Sequence, residues 1–283
     1  MSPQTSSRLD EIVARALAED IGPGDLTSEG LFSPDERCTA DLVVKQPGVV
    51  CGLRAAEAVF RALDHEVEVE VLLDDGTQVT SPPAVLARVS GPSRAVLGAE
   101  RTALNLLGRL SGIATLTRRY VDAVEGTGAV VLDTRKTTPG IRELEKDAVR
   151  CGGGTNHRLG LFDAILVKDN HLRLAGGITS AVDRLRAAAP RRPIEVEVET
   201  LDQLDEALEA GADRILLDNM PPAVMREAVR HRDARNAQVP LEASGGITLD
   251  TVRAVAATGV DFVSVGALTH SARSLDVSME VRS

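Results

Sequence analysis

Apolar positions along this chain follow two rhythms. In the first part they alternate between helical and strand spacing in clusters. Leu9, Ile12, Val13, Ala16 and Leu17 recur at helical intervals, so residues 6–19 read as an amphipathic helix, stopped by Ile21-Gly22-Pro23-Gly24-Asp25. Residues 38–45, 66–73 and 84–90 read as strands, with Asp74-Asp75-Gly76 and Ser81-Pro82-Pro83 as turns between the later ones. A helix at 52–63 separates the first two. A helix among clustered strands predicts a small α+β domain. Residues 94–124 then read as one long helix with a break expected near Ser111-Gly112. Along it Arg101, Asn105, Gly108 and Gly112 form one stripe, while Leu97, Leu104, Leu107 and Leu110 cover much of the other side.

Beyond that helix the rhythm becomes regular. Short apolar runs at 129–133, 164–167, 194–199, 214–217, 240–243 and 262–265 alternate with helical patterns at 141–150, 179–188, 201–209, 223–231 and 249–257. This alternation predicts a parallel sheet with helices outside. Six or seven such units suit a β/α barrel, closed or incomplete, better than an open dinucleotide-binding sheet, because no G-x-G-x-x-G follows the first strand. The expected fold class is therefore α/β: an N-terminal α+β domain over 1–112, then an incomplete β/α (TIM-like) barrel over 113–283.

Composition narrows the function. The chain has 283 residues, 43% hydrophobic and 26% charged, which fits a folded globular protein. Aromatics are only 2%, so the core must be aliphatic. Cys38, Cys51 and Cys151 are odd in number and widely spaced, which fits neither a disulfide framework nor a zinc site and predicts a reducing, cytoplasmic setting. The first residues carry no basic-then-apolar signal, and no apolar run is long enough for a bilayer, so no membrane role is expected. A net charge of −10 with scarce aromatics argues against nucleic acid. The expectation is an enzyme acting on a small molecule.

Against this acidic background, residues 131–171 carry Arg135, Lys136, Arg142, Lys146, Arg150, His157, Arg158, Lys168 and His171. A local cation cluster in an acidic chain predicts an anionic ligand. The C-terminal ends of parallel barrel strands converge on one mouth. They would bring there Thr134, Arg135 and Lys136, then Lys168, Asp169 and Asn170, then Asp218-Asn219, Ser244-Gly245-Gly246, and Gly266-Ala267 with Thr269 and His270. Each cation alone reads as a solvated surface group. Together Arg135, His157, Arg158 and Lys168 read as a clamp for carboxylate or phosphate. The glycine-rich ends of the last two strands read either as tight turns or as a phosphate corner. Glu195, Glu197 and Glu199 alternate and so share one strand face, either towards the site or in ion pairs. Glu197 and Asp218 beside a polyphosphate would suit Mg²⁺. Lys168 at a strand end also admits a Schiff-base lyase of the aldolase type.

The stretches 20–28 (DIGPGDLTS), 100–115, 133–171, 195–200 (EVEVET), 215–220 (ILLDNM), 241–247 (LEASGGI) and 263–271 (VSVGALTHS) together resemble the quinolinate phosphoribosyltransferase family. The resemblance spans nearly the whole chain. It implies the substrates quinolinate and phosphoribosyl pyrophosphate with Mg²⁺, in a homodimer or dimer-based assembly with shared active sites. It implies that Arg135, His157, Arg158 and Lys168 meet the quinolinate carboxylates, with Arg101 reaching in from the neighbouring subunit. It implies that Lys136, Glu197, Asp218, Ser244, Gly245 and Gly266 hold the phosphoribosyl pyrophosphate and its metal, with His270 close by. Family-like relatives tied to metal-oxyanion transport leave an accessory role as a further alternative.

Overall fold

The computed structural model describes residues 3–282. The elements run α1 (Pro3–Ile21), α2 (Leu26–Leu31), β1 (Arg37–Val44), β2 (Gly48–Val49), α3 (Leu53–Leu63), β3 (Glu68–Val71), β4 (Gln78–Val79), β5 (Ala84–Pro92), α4 (Ser93–Val124), β6 (Val130–Leu132) and α5 (Arg142–Cys151). They continue with β7 (Ile165–Val167), α6 (Asp169–Ala175), α7 (Ile178–Ala188), β8 (Ile194–Val198), α8 (Leu201–Glu209), β9 (Arg214–Asp218), α9 (Pro222–Asn236), β10 (Leu241–Ser244), α10 (Leu249–Ala256), β11 (Phe262–Ser264), α11 (Ala267–His270) and β12 (Val277–Val281). Two compact units divide them. One holds the chain up to Leu116 together with 138–153 and 272 onwards; the other holds 117–137 and 154–271.

The first unit is built on an antiparallel sheet in the order β12-β1-β5-β3. The core is aliphatic, as the composition requires: Val13 and Leu17 of α1, Ala56, Val59 and Phe60 of α3, and Leu42, Leu86 and Val89 of the sheet are buried together. Asp25, read from the sequence as a helix stop, also starts a helix: its carboxylate accepts from the amides of Thr27 and Ser28 at 3.0 and 3.1 Å and caps α2.

The break expected near Ser111-Gly112 is not found, and α4 runs unbroken from Ser93 to Val124. The glycines serve close approach instead. Leu275 donates its amide to the Gly108 carbonyl at 2.9 Å. A Cβ at Gly108 would lie 2.8 Å from the Leu275 carbonyl oxygen, and one at Gly112 would overlap the carbonyl of Arg273. Arg109, between them, donates to the Ala272 carbonyl at 2.9 Å and to the fully buried Glu145 at 2.8 Å. The chain end thus crosses α4 on bare backbone before β12 pairs with β1, Met279 opposite Leu42.

The second unit is a parallel sheet in the order β6-β11-β10-β9-β8-β7, flanked by α6 to α10. Among the described residues no pairing joins β6 to β7, so the barrel is incomplete. Thr155 takes the place beside β6, donating to Val131 O at 2.9 Å and accepting from the Asp133 amide at 3.2 Å. Side chains of Glu195, Arg214, Glu242 and Ser264 point inward, while Val196, Val198, Ile215, Leu217 and Ala243 are buried between the strands and helices. That is the two-residue alternation of a strand with one polar and one apolar face.

The glycine contact gives a direct test. Gly112→Ala should cost on the order of 3 kcal/mol, because backbone and not a flexible side chain must move. Gly30→Ala, with open space around it, should be neutral or stabilising by at most about 1 kcal/mol. Urea unfolding midpoints of the two variants decide it; a wild-type midpoint for Gly112→Ala would mean the crossing is loose.

Candidate active site

At the C-terminal ends of the parallel strands lies a cavity of about 770 Å³ within the second unit. Arg135, Lys136, His157, Arg158, Lys168, Glu197, Asp218, Ser244, Gly245, Gly266 and His270 all line it. Arg101 does not: it belongs to the first unit, its side chain is 65% exposed, and its nearest acid is Glu100 at 3.8 Å. Asp169 and Asn170, expected at the mouth, instead open α6 and are exposed.

Asp133 sets the position of the cationic loop. It is fully buried and accepts from the His157 amide at 2.8 Å and from Asn156 Nδ2 at 2.6 Å. Together with Thr155 beside β6, these bonds fix where His157 and Arg158 enter the cavity. The next turn is pinned too, since Asp163 accepts from the amides of Leu159 and Gly160 at 2.6 and 2.9 Å. Thr134 to Lys136 is a bend and not an extended continuation of β6, with the Lys136 amide donating to Thr134 Oγ1 at 3.1 Å. Arg135 and Lys136 therefore both face the cavity, where strict strand alternation would have sent them to opposite sides.

Charge is crowded here. Burial, and then the neighbouring Arg135 guanidinium, hold Arg158 below the ordinary arginine range. Like charges are stable at such proximity only when anions lie close. Lys168 Nζ is 2.8 Å from Glu197 Oε2. That amine sits in a polar, half-exposed place, unlike the apolar pocket that activates a Schiff-base lysine. Glu197 and Asp218 both line the cavity, and Asn219 Nδ2 donates to Asp218 at 2.7 Å. Two hard carboxylates on an open cavity fit Mg²⁺ in the way that ion is usually held, with few protein ligands and the remaining positions left to water and substrate oxygens. Glu199 lies away from the cavity and is exposed.

Backbone shape completes the mouth. Gly245 has φ +100°, and a Cβ there would overlap Asn219 Oδ1. Gly266 is bare for another reason: a Cβ would lie 3.1 Å from Lys136 Cδ and 3.2 Å from His270 Nε2. The Lys136 carbonyl also accepts from Thr269 Oγ1 at 2.8 Å, tying the β6 and β11 ends together.

Below the mouth is a buried polar layer of which sequence reasoning named only Glu195 and His157, the latter as part of the clamp. His157 Nε2 is 3.0 Å from Glu195 Oε2 and 3.6 Å from Glu242 Oε2. Arg214 Nη2 is 2.9 Å from Glu242 Oε2, its Nε is 3.4 Å from Glu195 Oε1, and its guanidinium stacks 3.8 Å from the Phe262 ring centroid. The Arg214 contacts are ion pairs by distance but not aligned as hydrogen bonds, so their attraction is mainly Coulombic. Ser264 Oγ donates to Glu242 Oε1. Burial, and then the adjacent Glu195, push the Glu242 carboxyl up to about 7. For Glu195 burial acts upward too, but hydrogen bonding and charge from His157 outweigh it, and its net shift is downward. The signal for this layer was in the strand alternation: Glu242 stands two residues before Ser244, as Glu195 does before Glu197.

Comparison with known proteins bears on the whole chain. Residues 25–111 match the family described as "Quinolinate phosphoribosyl transferase, N-terminal domain", and residues 113–280 match its C-terminal domain. A Bacillus subtilis protein named probable nicotinate-nucleotide pyrophosphorylase [carboxylating] is 45% identical over 97% of this chain and 93% of its own length. A Mycobacterium leprae nicotinate-nucleotide pyrophosphorylase [carboxylating] is also 45% identical, over 96% of both chains. Among solved structures, the nicotinate-nucleotide pyrophosphorylase from Francisella tularensis superposes with a TM-score of 0.92 at 40% identity, covering 98% of this chain and 96% of its own.

The buried layer predicts a pH signature in stability. Glu242 titrates near its ordinary value when unfolded and about 7 when folded. The folded state then binds more protons between those values, so this group's contribution is full below pH ~4.5 and is lost as pH rises through ~7. In Glu242→Gln that loss is absent. The stability difference, wild type minus variant, should fall with rising pH across this window by up to about 3 kcal/mol. Denaturant unfolding at several pH values measures it, and a pH-independent difference would contradict the assignment.

Proposed function

The chain belongs to the quinolinate phosphoribosyltransferase family, and we propose that it converts quinolinate and phosphoribosyl pyrophosphate to nicotinate mononucleotide, pyrophosphate and CO₂ in NAD biosynthesis. The observation that carries this reading is the crowding of Arg135, Lys136, Arg158 and Lys168 with Glu197 and Asp218 in one cavity of an acidic protein. Such a cavity suits two polyanions and a divalent cation together.

In this reading Arg135, Arg158 and Lys168 meet the two quinolinate carboxylates, with the His157 ring packed against them. Planar guanidinium forks match carboxylates in two dimensions, and the lysine adds a point charge. Lys136 and His270 meet the phosphoribosyl pyrophosphate, whose phosphates reach the backbone amides exposed by Ser244, Gly245 and Gly266. Glu197 and Asp218 would hold Mg²⁺, which when bound neutralises pyrophosphate oxygens. Pyrophosphate leaves C1′ of the ribose, positive charge builds at C1′, and the pyridine nitrogen attacks. The same carboxylates favour the developing positive charge, while Lys136 favours the departing negative charge. The 2-carboxylate, now beside a cationic ring nitrogen, leaves as CO₂. The protein's contribution is positioning and electrostatic preorganisation.

Arg101 has the chemistry of a clamp member but sits on the exposed face of α4 in the first unit. In the proposed homodimer, or a larger assembly of dimers, it completes the quinolinate site of the partner subunit. Among the described residues no helix is long and apolar enough to cross a membrane, and the three thiols are free. Both fit the cytoplasmic setting we assign.

Three measurements test the reading. The protein should release CO₂ and pyrophosphate in equal amounts from quinolinate and phosphoribosyl pyrophosphate only when a divalent cation is present; metal-independent release would contradict the Mg²⁺ assignment. Arg158→Ala should weaken quinolinate binding by at least about tenfold, the worth of one charged hydrogen bond, while Lys136→Ala should chiefly weaken phosphoribosyl pyrophosphate. Calorimetry showing the opposite pattern would reverse the division of labour. Finally, inactive Arg101→Ala and Lys136→Ala subunits should complement on mixing, reaching roughly a quarter of wild-type activity for random pairing, since half the dimers are mixed and half their sites are intact. No recovery despite subunit exchange seen by mass spectrometry would place Arg101 outside the site.

A further inference from the structure

Glu242, in the buried layer beneath the clamp, has no part in the reaction as described so far. Glu242 is fully buried, yet it lines the cavity, and so does its hydrogen-bond partner Ser264. The groups that face Glu242 are Glu195 from β8, Arg214 from β9, Ser264 from β11 and His157 from the loop after Thr155. His157 Nδ1 accepts the Arg158 amide at 2.7 Å, which turns Nε2 towards Glu195. Arg214 supplies one fixed positive charge. The two buried carboxyl groups and His157 Nε2 are crowded within 4.8 Å of one another. Two carboxyl groups that share a buried site do not both ionise readily, so one of them keeps its proton. Glu242 is the more buried of the two and the one held protonated into the neutral range.

The proposed reaction needs a proton at this place. When CO₂ departs, the bond between C2 and its carboxyl carbon breaks, and the electron pair stays on C2 beside the ribosylated ring nitrogen. Nicotinate mononucleotide forms only when C2 gains a proton. Arginines do not give one up. Resting on the functional reading above, we infer that Glu242 is the acid that protonates C2 after CO₂ leaves. Its O–H bond breaks, the C2–H bond forms, and the carboxylate left behind lies beside Arg214 until water restores the proton. The protons balance: one is taken from solvent for each CO₂ released.

Glu242→Gln tests this, because glutamine keeps the shape and the polar contacts but has no acidic proton. Single-turnover rapid quench with quinolinate and phosphoribosyl pyrophosphate separates pyrophosphate release from nicotinate mononucleotide formation. In wild type the second rate should fall as pH rises through about 7, as Glu242 loses its proton, and should slow in D₂O. In Glu242→Gln the rate should drop by about 10²-fold, the lower range for a lost general acid, with that pH limb gone and pyrophosphate release retained. A variant that forms nicotinate mononucleotide at the wild-type rate with the limb intact would overturn the inference and leave the Lys168 ammonium as donor. If the variant does not fold, infrared spectra of wild type labelled with ¹³C-glutamate decide. A protonated glutamate band present at pH ~6 and absent above pH ~8 supports the inference, and no such band at pH ~6 overturns it. Wild type that makes no nicotinate mononucleotide from these substrates would instead overturn the functional reading itself.

Discussion

Two guanidinium groups that repel one another hold the centre of this protein. Arg135 and Arg158 face the same cavity, and Arg158 is shifted by burial and by its neighbour. Left alone the pair would swing into solvent. Several features of the second unit keep it in place. Asp133, buried beneath, fixes the backbone at 156–157. Thr155 takes the edge of β6 where a closing strand would otherwise pair, so the open barrel and the cationic loop are one structural feature. Glu195 places negative charge under the mouth, with Glu242 held protonated into the neutral range beside it and Arg214 against both. The site is a stack of alternating charge: acids below, cations above, and open space on top for anions.

The first unit depends on a different constraint. Its sheet takes its last strand from the far end of the chain, and that end reaches β1 by crossing α4 over Gly108 and Gly112. Arg109 and Glu145 form a buried ion pair beside the crossing, with Thr138 also donating to Glu145 at 2.8 Å. Such a pair costs desolvation, and it holds only because Glu145 is fully supplied with donors. Residues 138–153 and 272–282 are thereby bound into a unit that otherwise ends at Leu116.

Sequence periodicity made most of this legible where it was long and repeated. The six parallel strands and the five helices read between them stand within a few residues of the positions that apolar spacing assigns, because short apolar runs there alternate regularly with helical spacing. The cation cluster was legible from its contrast with the net charge of the chain. Short elements were not. Val277, Met279 and Val281 alternate as a strand should, but a five-residue edge strand leaves little pattern to weigh. The glycines of α4 looked like a helix break because a single sequence does not show what comes close to a bare backbone. Glu242 and Arg214 were passed over since polar residues inside an apolar strand read as interruptions, while in a barrel they point to the axis. Asp133 was seen only as the end of a strand, although its burial makes it the anchor of the loop.

The central claim is that the mouth recognises two carboxylates at once. Calorimetry of the protein with quinolinate and with nicotinate, without phosphoribosyl pyrophosphate and over a range of salt, tests it most directly. The second carboxylate should be worth at least about tenfold in affinity, from one charge-assisted hydrogen bond at the low end of its range, and the advantage should shrink as salt screens the mouth. Equal affinity for the two ligands at every salt concentration would contradict the account.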